Sequence, residues 1–303
     1  MPNHLFARIP LGLRYMLLST LGFALMTACV KQVSTYNIPI FEIVAARALV
    51  SLILSYYDIR RKGISPWGNH RLLLIARGAV GSFALICTYY AVMTLPLAEA
   101  TVLQYLHPVF TAVLAWLFLK EKIQRSTFIC ILLSISGLIV LIEPGTGTSG
   151  GHTLLPSFSV LVAIGGAFGS SIAYVLVRRL SRVEDSSVII FYFPIVTLPI
   201  ALLLLGDDFV MPNLPAFFLL ILIGIFTQLG QVGLTNAMRA DEAAKVSAYS
   251  YMQVVFSAVI GWVYFDEIPV ITTVIGGGLI ILGALINVMG SRYFSRKLKL
   301  KDS

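Results

Sequence analysis

Apolar runs of about twenty residues recur along the whole chain, separated by short polar connectors. A helix of that length crosses the hydrocarbon core of a bilayer. The pattern predicts ten transmembrane spans, at residues 11–31, 39–58, 71–94, 97–119, 126–143, 157–178, 186–205, 214–238, 242–265 and 269–291. The first run lacks a small-residue cleavage site, so we expect it to remain as a helix. The predicted fold is an all-α integral membrane protein.

The chain contains an internal duplication. The stretch from Leu97 to Glu121 occurs again, in altered form, from Ala243 to Glu267. Aligned without a gap, the copies pair Tyr105 with Tyr251, Trp116 with Trp262, Glu121 with Glu267 and Gly137 with Gly283. Chance apolar similarity would not keep these residue types in one register. We therefore expect two five-helix repeats, at 11–143 and 157–291, with an extracytoplasmic linker at 144–156 and a basic cytoplasmic tail at 292–303.

The charges predict the orientation of the spans. The chain is 58% hydrophobic and only 12% charged, about half the charge of a typical soluble domain. Its formal net charge is +8, and the basic residues gather in alternate connectors and in the tail. The positive-inside rule explains this distribution without a nucleic-acid partner and predicts cytoplasmic termini in an inner membrane protein. Because each repeat has an odd number of spans, the two halves are expected to be inverted.

Each copy of the duplicated helix carries one polar stripe. The first consists of Thr101, Gln104, His107 and Thr111, and the second of Ser247, Ser250, Gln253 and Ser257. Their spacing keeps each set within about a third of the helix circumference. A single hydroxyl or amide usually only links helices in lipid. Two matched stripes favour facing walls of one cavity, and Pro108 is expected to open its helix near Gln104.

These features resemble the drug/metabolite transporter superfamily, and specifically its tandem EamA-domain members. The resemblance rests on the pattern from Ala98 through Glu121 to Gly137, on its echo from Ala244 to Gly283, and on Arg47. It covers residues 12–290 approximately. It implies secondary transport through a cavity lined by spans one, three, four, six, eight and nine. Members carry amino acids, nucleobases, sugars and other metabolites, so the cargo stays open.

The candidate substrate contacts are polar side chains on predicted cavity-lining spans. They are Tyr89, Thr101, Gln104, His107, Thr111, Tyr174, Gln228, Gln231, Thr235, Ser247, Ser250 and Gln253. Amides, hydroxyls and tyrosines without a deep carboxylate suit a neutral or zwitterionic solute better than a lipophilic cation. His107 is either a neutral histidine bonded to a neighbouring helix or a group that couples a proton to transport.

Charged residues inside the spans suggest a gate. Lys31 ends span one within reach of Glu42 or Glu99, and the three are candidates for an outer gate. For Arg47 a structural or gating ion pair is favoured over substrate contact. Arg77 is expected to extend to the cytoplasmic face.

The sequence therefore predicts a secondary active transporter for a small polar metabolite, working by alternating access, with export slightly favoured. Uptake or exchange, multidrug efflux, a channel, and a membrane-embedded enzyme using His107 are the alternatives. Nucleotide motifs, metal-ligand clusters and catalytic arrays are missing from the sequence, so we expect no cofactor and no catalytic or metal residues. Expected partners are the small solute, the lipid bilayer and, if His107 titrates, a coupled proton. We expect a monomer or weak dimer.

Overall fold

The computed structural model describes residues 10–95, 101, 103–141, 157–266 and 271–299, and every regular element within those ranges is a helix. The helices are α1 (Leu11–Ser34), α2 (Ile40–Lys62), α3 (Arg71–Thr94), α4 (His107–Leu119), α5 (Arg125–Leu141), α6 (Ser157–Leu180), α7 (Ser186–Leu205), α8 (Leu214–Ala240), α9 (Ala243–Ala248), α10 (Met252–Phe265) and α11 (Ile271–Lys299). A 3-10 turn, Tyr249–Tyr251, joins α9 to α10.

Seven helical segments of the described chain are long and apolar enough to cross a bilayer, counting α9 to α10 as one segment. Three further apolar helices are shorter: His107–Leu119, Arg125–Val140 and Val274–Gly290. The predicted all-α membrane class is confirmed. The count of ten spans stays a prediction, as do the bounds of the two repeats, the linker and the tail.

The backbone repeats the duplication seen in the sequence. Helices α1 and α6 both contain 24 residues. Helices α4 and α10 both end at a residue in the left-handed region, Lys120 with φ of 54° and Asp266 with φ of 53°. Each of these two residues donates its N–H to the carbonyl five residues earlier, at Ala115 and Gly261. Matched positions of the repeat therefore adopt the same turn.

Both duplicated spans are interrupted in the part of the chain that the structure describes. The first turns at Tyr105 and Leu106 before α4 begins, as expected from Pro108, whose ring cannot sit against the carbonyl of Gln104 in a regular helix. The second has no matching proline. There the hydroxyls of Ser247 and Ser250 bond to carbonyls three residues earlier and so compete with helical geometry.

Helices of one half pack mainly against helices of the other. The principal pairs are α1 with α8, α3 with α6, α2 with α7, and α5 with α11. Exchanging the halves turns the first pair into the second and leaves the last two unchanged, as a two-fold axis requires. Matched residues also meet: the rings of Tyr105 and Tyr251 stack with centroids 5.7 Å apart, and the Tyr251 hydroxyl donates to the Tyr105 carbonyl at 2.9 Å.

Glycine permits the close crossing of α1 and α8. A Cβ atom on Gly22 of α1 would lie 2.8 Å from the backbone nitrogen of Gly230, and one on Gly233 of α8 would lie 2.7 Å from that of Ser19. The hydroxyl of Ser19 donates to the Gly230 carbonyl at 2.7 Å across the same crossing. The two halves are therefore in direct backbone contact beside the space that they enclose.

Candidate functional site

A cavity of about 180 Å³ lies between the two halves. It is large enough for several water molecules or a small solute. Its walls come from α1, α2, α3, α6, α7 and α8, together with Gln104 just before α4. The lining residues are Phe23, Arg47, Arg77, Gly81, Ala84, Leu85, Thr88, Gln104, Ser170, Ala173, Tyr174, Val177, Phe193, Gln231 and Leu234.

Arg77 points into this cavity, so the expectation that it extends to the cytoplasmic face was wrong. Its side chain is 3% exposed, and its Nη2 donates to Oε1 of Gln231 at 2.9 Å. Its guanidinium carbon lies 4.8 Å from the centroid of the Phe193 ring. Position 77 faces α7 and α8, and these contacts hold the side chain inside. Among the described residues, Nε and Nη1 have no hydrogen-bond partner.

Arg47 lines the same cavity and is 6% exposed. Its Nη1 lies 3.8 Å from the sulfur of Met26. Within the described part of the chain it forms no ion pair, and the expected structural or gating ion pair stays a prediction. Glu42 on the same helix instead accepts a hydrogen bond from the backbone N–H of Val210 at 3.0 Å.

The predicted outer gate is only partly described. The ammonium nitrogen of Lys31 lies 4.5 Å from the centroid of the Phe265 ring, a cation–π contact. Glu42 is engaged with Val210, and Glu99 lies outside the described residues. The gate of Lys31, Glu42 and Glu99 stays a prediction.

The two polar stripes meet, but they touch each other instead of facing across open space. His107, which is 8% exposed, has Nδ1 3.1 Å from the carbonyl oxygen of Gln104 and Nε2 3.3 Å from Oγ of Ser250. Its ring lies at 73° to the ring of Tyr174, with centroids 5.2 Å apart. His107 therefore sits one layer behind the cavity, between two residues that line it.

The bonds around His107 fix where one proton resides. A carbonyl oxygen can only accept, so Nδ1 carries a hydrogen. Ser250 has a single hydroxyl hydrogen, and its Oγ lies 2.7 Å from the Ser247 carbonyl as well as near Nε2 of His107. When the Ser250 hydroxyl donates to the Ser247 carbonyl, its oxygen can only accept from Nε2 of His107. Nε2 forms that hydrogen bond only if it also carries a proton. A small rotation of one hydroxyl thus accommodates either charge state of the imidazole.

Of the twelve predicted substrate contacts, Gln104, Tyr174 and Gln231 line the cavity. Four others serve packing. Gln228 bonds to Ser51 and Ser55 and so links α8 to α2. The hydroxyls of Thr111 and Ser247 donate back to carbonyls of their own helices. Tyr89 borders a separate apolar space of about 10 Å³, which is too small for a solute. Thr235 is buried, and Thr101 and Gln253 are half-buried, away from the cavity lining.

A second set of polar contacts closes one end of the molecule. We call this end, which holds the connectors 63–70, 120–124, 181–185 and 241–242, the basic end. Buried Glu121 accepts from Nε of Arg178 at 2.8 Å and from the N–H of Ala243 at 2.7 Å. Glu184 accepts from the N–H groups of Asn69 and His70, both at 2.7 Å. Each of these bonds joins the two halves.

Lys62 and Asp185 form a further bridge at the basic end, at 2.9 Å. Burial by itself would raise the pKa of the Asp185 carboxyl, but the hydrogen bonds from Lys62 and Ser187 and the charge of Lys62 outweigh it and hold that pKa below its ordinary value. A depressed carboxyl pKa stabilises the folded state above the unfolded pKa, near 4, and this contribution is lost as the pH falls through the lower folded value. The bridge therefore persists at neutral and weakly acidic pH.

The EamA-like transporter family matches the chain at residues 10–143 and 157–289, which spans both predicted repeats. The chain belongs to this family. As an EamA-like transporter it is a multi-pass membrane protein and a transporter, not an enzyme. The family resemblance inferred from the repeated stretches is confirmed.

Relatives of this EamA-like transporter are named for transport. It is 32% identical over 275 residues to the pseudopaline exporter CntI of Pseudomonas aeruginosa, covering 90% of this chain and 94% of that protein. It is 35% identical over 288 residues to solute carrier family 35 member G1 of Mus musculus, covering 90% of this chain and 76% of that protein. A protein of known crystal structure shares the fold, with a TM-score of 0.81, 19% identity and coverage of 93% and 98%.

The cavity is lined by spans one, three, six and eight and by Gln104 of span four, as the resemblance implied. It also uses α2 and α7, through Arg47 and Phe193, and no described residue of α9 or α10 lines it. Sequence reasoning missed Arg77 as a site residue. The available signal was an arginine inside an apolar run, because ionisable groups within a membrane are usually functional.

Proposed function

We propose that this protein moves a small polar metabolite across the inner membrane by alternating access of its two inverted halves around the cavity. The observation that carries the proposal is a polar cavity lined by both halves, whose helices pair as a two-fold exchange of the halves requires. Secondary transporters with inverted repeats hold their substrate at such an interface. The bonds of Glu121, Glu184 and Asp185 at the basic end then form a closed cytoplasmic gate.

Export is the favoured direction. The relative in Pseudomonas aeruginosa is named as an exporter and aligns over nearly its whole length. The basic connectors support cytoplasmic termini under the positive-inside rule. His107 supports coupling to a proton, since either charge state of its ring can be satisfied in place.

The test is counterflow in proteoliposomes with a solute first identified by thermal-shift screening of the purified protein against a metabolite library. Gln104→Trp fills the cavity and should abolish both binding and counterflow while the protein remains folded. Val113→Trp is the matched control, because Val113 on α4 is 43% exposed and lies away from the cavity. Undiminished counterflow by Gln104→Trp would remove the cavity from the transport path, and loss by both variants would point to a general packing defect.

A further inference from the structure

Two buried arginines line the cavity, and none of the other described lining residues is acidic. Arginine stays protonated at any physiological pH, so each guanidinium brings a full positive charge into the membrane interior. A buried charge is costly unless it is paired and hydrogen-bonded. The cavity is therefore electropositive and lacks a counter-charge among the residues that the structure describes.

We propose that the cargo carries at least one carboxylate, which Arg47 and Arg77 bind. The inference rests on the proposed transport function and narrows its substrate class. Two contacts position Arg77: Gln231 takes one Nη2 hydrogen, and the guanidinium carbon lies 4.8 Å from the centroid of the Phe193 ring. Nε and Nη1 remain unpaired among the described residues.

The neighbours of Arg77 hold the guanidinium in place. A Cβ atom on Gly81, one turn further along α3, would lie 3.5 Å from Nη1 of Arg77 and 3.1 Å from the Phe193 ring. A side chain at Gly81 would press on the Phe193 ring that packs against the guanidinium. Nε or Nη1, together with the second hydrogen of Nη2, presents a planar fork of donors, which is suited to a carboxylate that accepts two parallel hydrogen bonds.

This assignment changes the solute class expected from the sequence. A neutral solute would leave both charges uncompensated, and a cation would add a third positive charge. A zwitterion remains compatible through its carboxylate. Thr88, Gln104, Ser170 and Tyr174 line the rest of the cavity with neutral donors and acceptors, which suits a polar remainder on the same molecule.

The direct test compares carboxylates with their amides at one fixed ionic strength. Purified full-length protein is titrated with succinate or succinamide, and with acetate, citrate and acetamide, while its melting temperature is followed. We expect carboxylates to raise the melting temperature and succinate to bind about tenfold or more tightly than succinamide, the effect of one charge-assisted hydrogen bond. Arg77→Gln and Arg47→Gln should each abolish this difference. Arg71→Gln, an exposed arginine at the start of α3, should preserve it.

The melting temperature of the same variants without ligand separates a binding role of Arg77 from a packing role. In buffer without carboxylates, Arg77→Gln should melt no lower than wild type, because the substitution removes an uncompensated charge. An Arg77→Gln protein that melts lower or fails to fold would assign Arg77 to structure. Equal responses to carboxylates and amides in wild type would also overturn the proposal. A different result would be carboxylate binding that depends on both arginines but no counterflow of any solute. That result would overturn the proposed transport function and would leave the proposed carboxylate binding intact.

Discussion

Arg77 and Gln231 form a hydrogen bond between α3 and α8, two helices from opposite halves. The partner atom is an amide oxygen, so the bond orients the guanidinium without neutralising it. Replacing that amide with a carboxylate would supply the missing counter-charge from within the protein. Changing the amide of Gln231 to a carboxylate therefore tests whether Arg77 binds the carboxylate of the cargo.

Gln231→Glu should increase stability and remove the response to carboxylates. The new carboxylate would lie where Oε1 now sits, 2.9 Å from Nη2 of Arg77. A hydrogen bond to a charged group contributes about 1.5–3 kcal/mol, although desolvation of the carboxylate offsets part of this gain. Gln231→Leu is the control, because it removes the bond without adding charge. Melting curves with and without succinate measure both effects, and a full succinate response in Gln231→Glu would contradict the assignment.

His107→Gln tests the proposed proton coupling. Glutamine can still donate and accept near Gln104 and Ser250, but it does not titrate. We expect solute binding to persist and the pH dependence of transport to flatten. Ser250→Ala serves as the comparison, since it removes the neighbour of Nε2 and leaves the imidazole able to titrate. A wild-type rate and pH profile in His107→Gln would make His107 a packing residue.

The sequence could identify Gln104, Tyr174 and Gln231 as cavity-lining residues, because they are polar residues at helical spacing inside apolar runs. It could not separate them from Gln228, which has the same spacing but bonds to Ser51 and Ser55 of α2. It also could not place Arg77. An arginine six residues from a helix end usually extends to the membrane surface, and only the contact with Gln231, far away along the chain, holds it inside.

Helices α4 and α10 each begin at a break in one of the two duplicated spans. The sequence predicts the first break through Pro108. The second follows from hydroxyl groups that compete for backbone carbonyls, an effect too weak to predict from spacing alone. Matched breaks place Tyr105 and Tyr251 in contact at equivalent points of the two copies.

Proline should be tolerated at the position matching Pro108 and nowhere deeper in α10. Val254 lies in the first turn of that helix, which begins at Met252, where an intrahelical N–H bond is not required. Val254→Pro should therefore fold, whereas Val259→Pro in the helix interior should cost about 3 kcal/mol or more. Thermal melts and size-exclusion profiles distinguish the two. If both variants unfold, the interruption does not begin the helix as described.

At the basic end, buried Glu121 is the charged partner of buried Arg178. Glu121→Gln leaves Arg178 buried without its charged partner, which typically costs about 3–5 kcal/mol. If this end is the cytoplasmic gate, a cysteine at Ser170 should then react faster with an impermeant thiol reagent in inside-out vesicles. Lys122→Gln, an exposed neighbour, should change neither stability nor labelling. Slower or equal labelling in Glu121→Gln would remove this contact from the gate.

For the whole molecule, the duplication and the apolar runs were enough to predict an all-α membrane protein of the EamA-like family. The matched left-handed residues Lys120 and Asp266 reproduce that duplication in the backbone. Which helices touch could not be predicted, because lipid-facing and helix-facing positions are almost equally apolar in these spans. The pairing of α1 with α8 depends on backbone contact at Gly22 and Gly233, and the sequence alone does not reveal their partners.

The uncompensated arginines also bear on how fast the empty carrier can return. In the proposed cycle, a loaded cavity would cross the occluded state with Arg47 and Arg77 neutralised, whereas an empty one would carry both charges through it without a counter-charge among the described lining residues. We therefore expect trans-stimulation: labelled solute should leave proteoliposomes faster when unlabelled solute is present outside. Arg77→Gln should lessen this acceleration where it still transports, and equal efflux into empty and solute-containing buffer would show that reorientation is insensitive to these charges. If trans-stimulation is observed and Arg77→Gln lessens it, the two arginines set the kinetic preference for exchange over net movement.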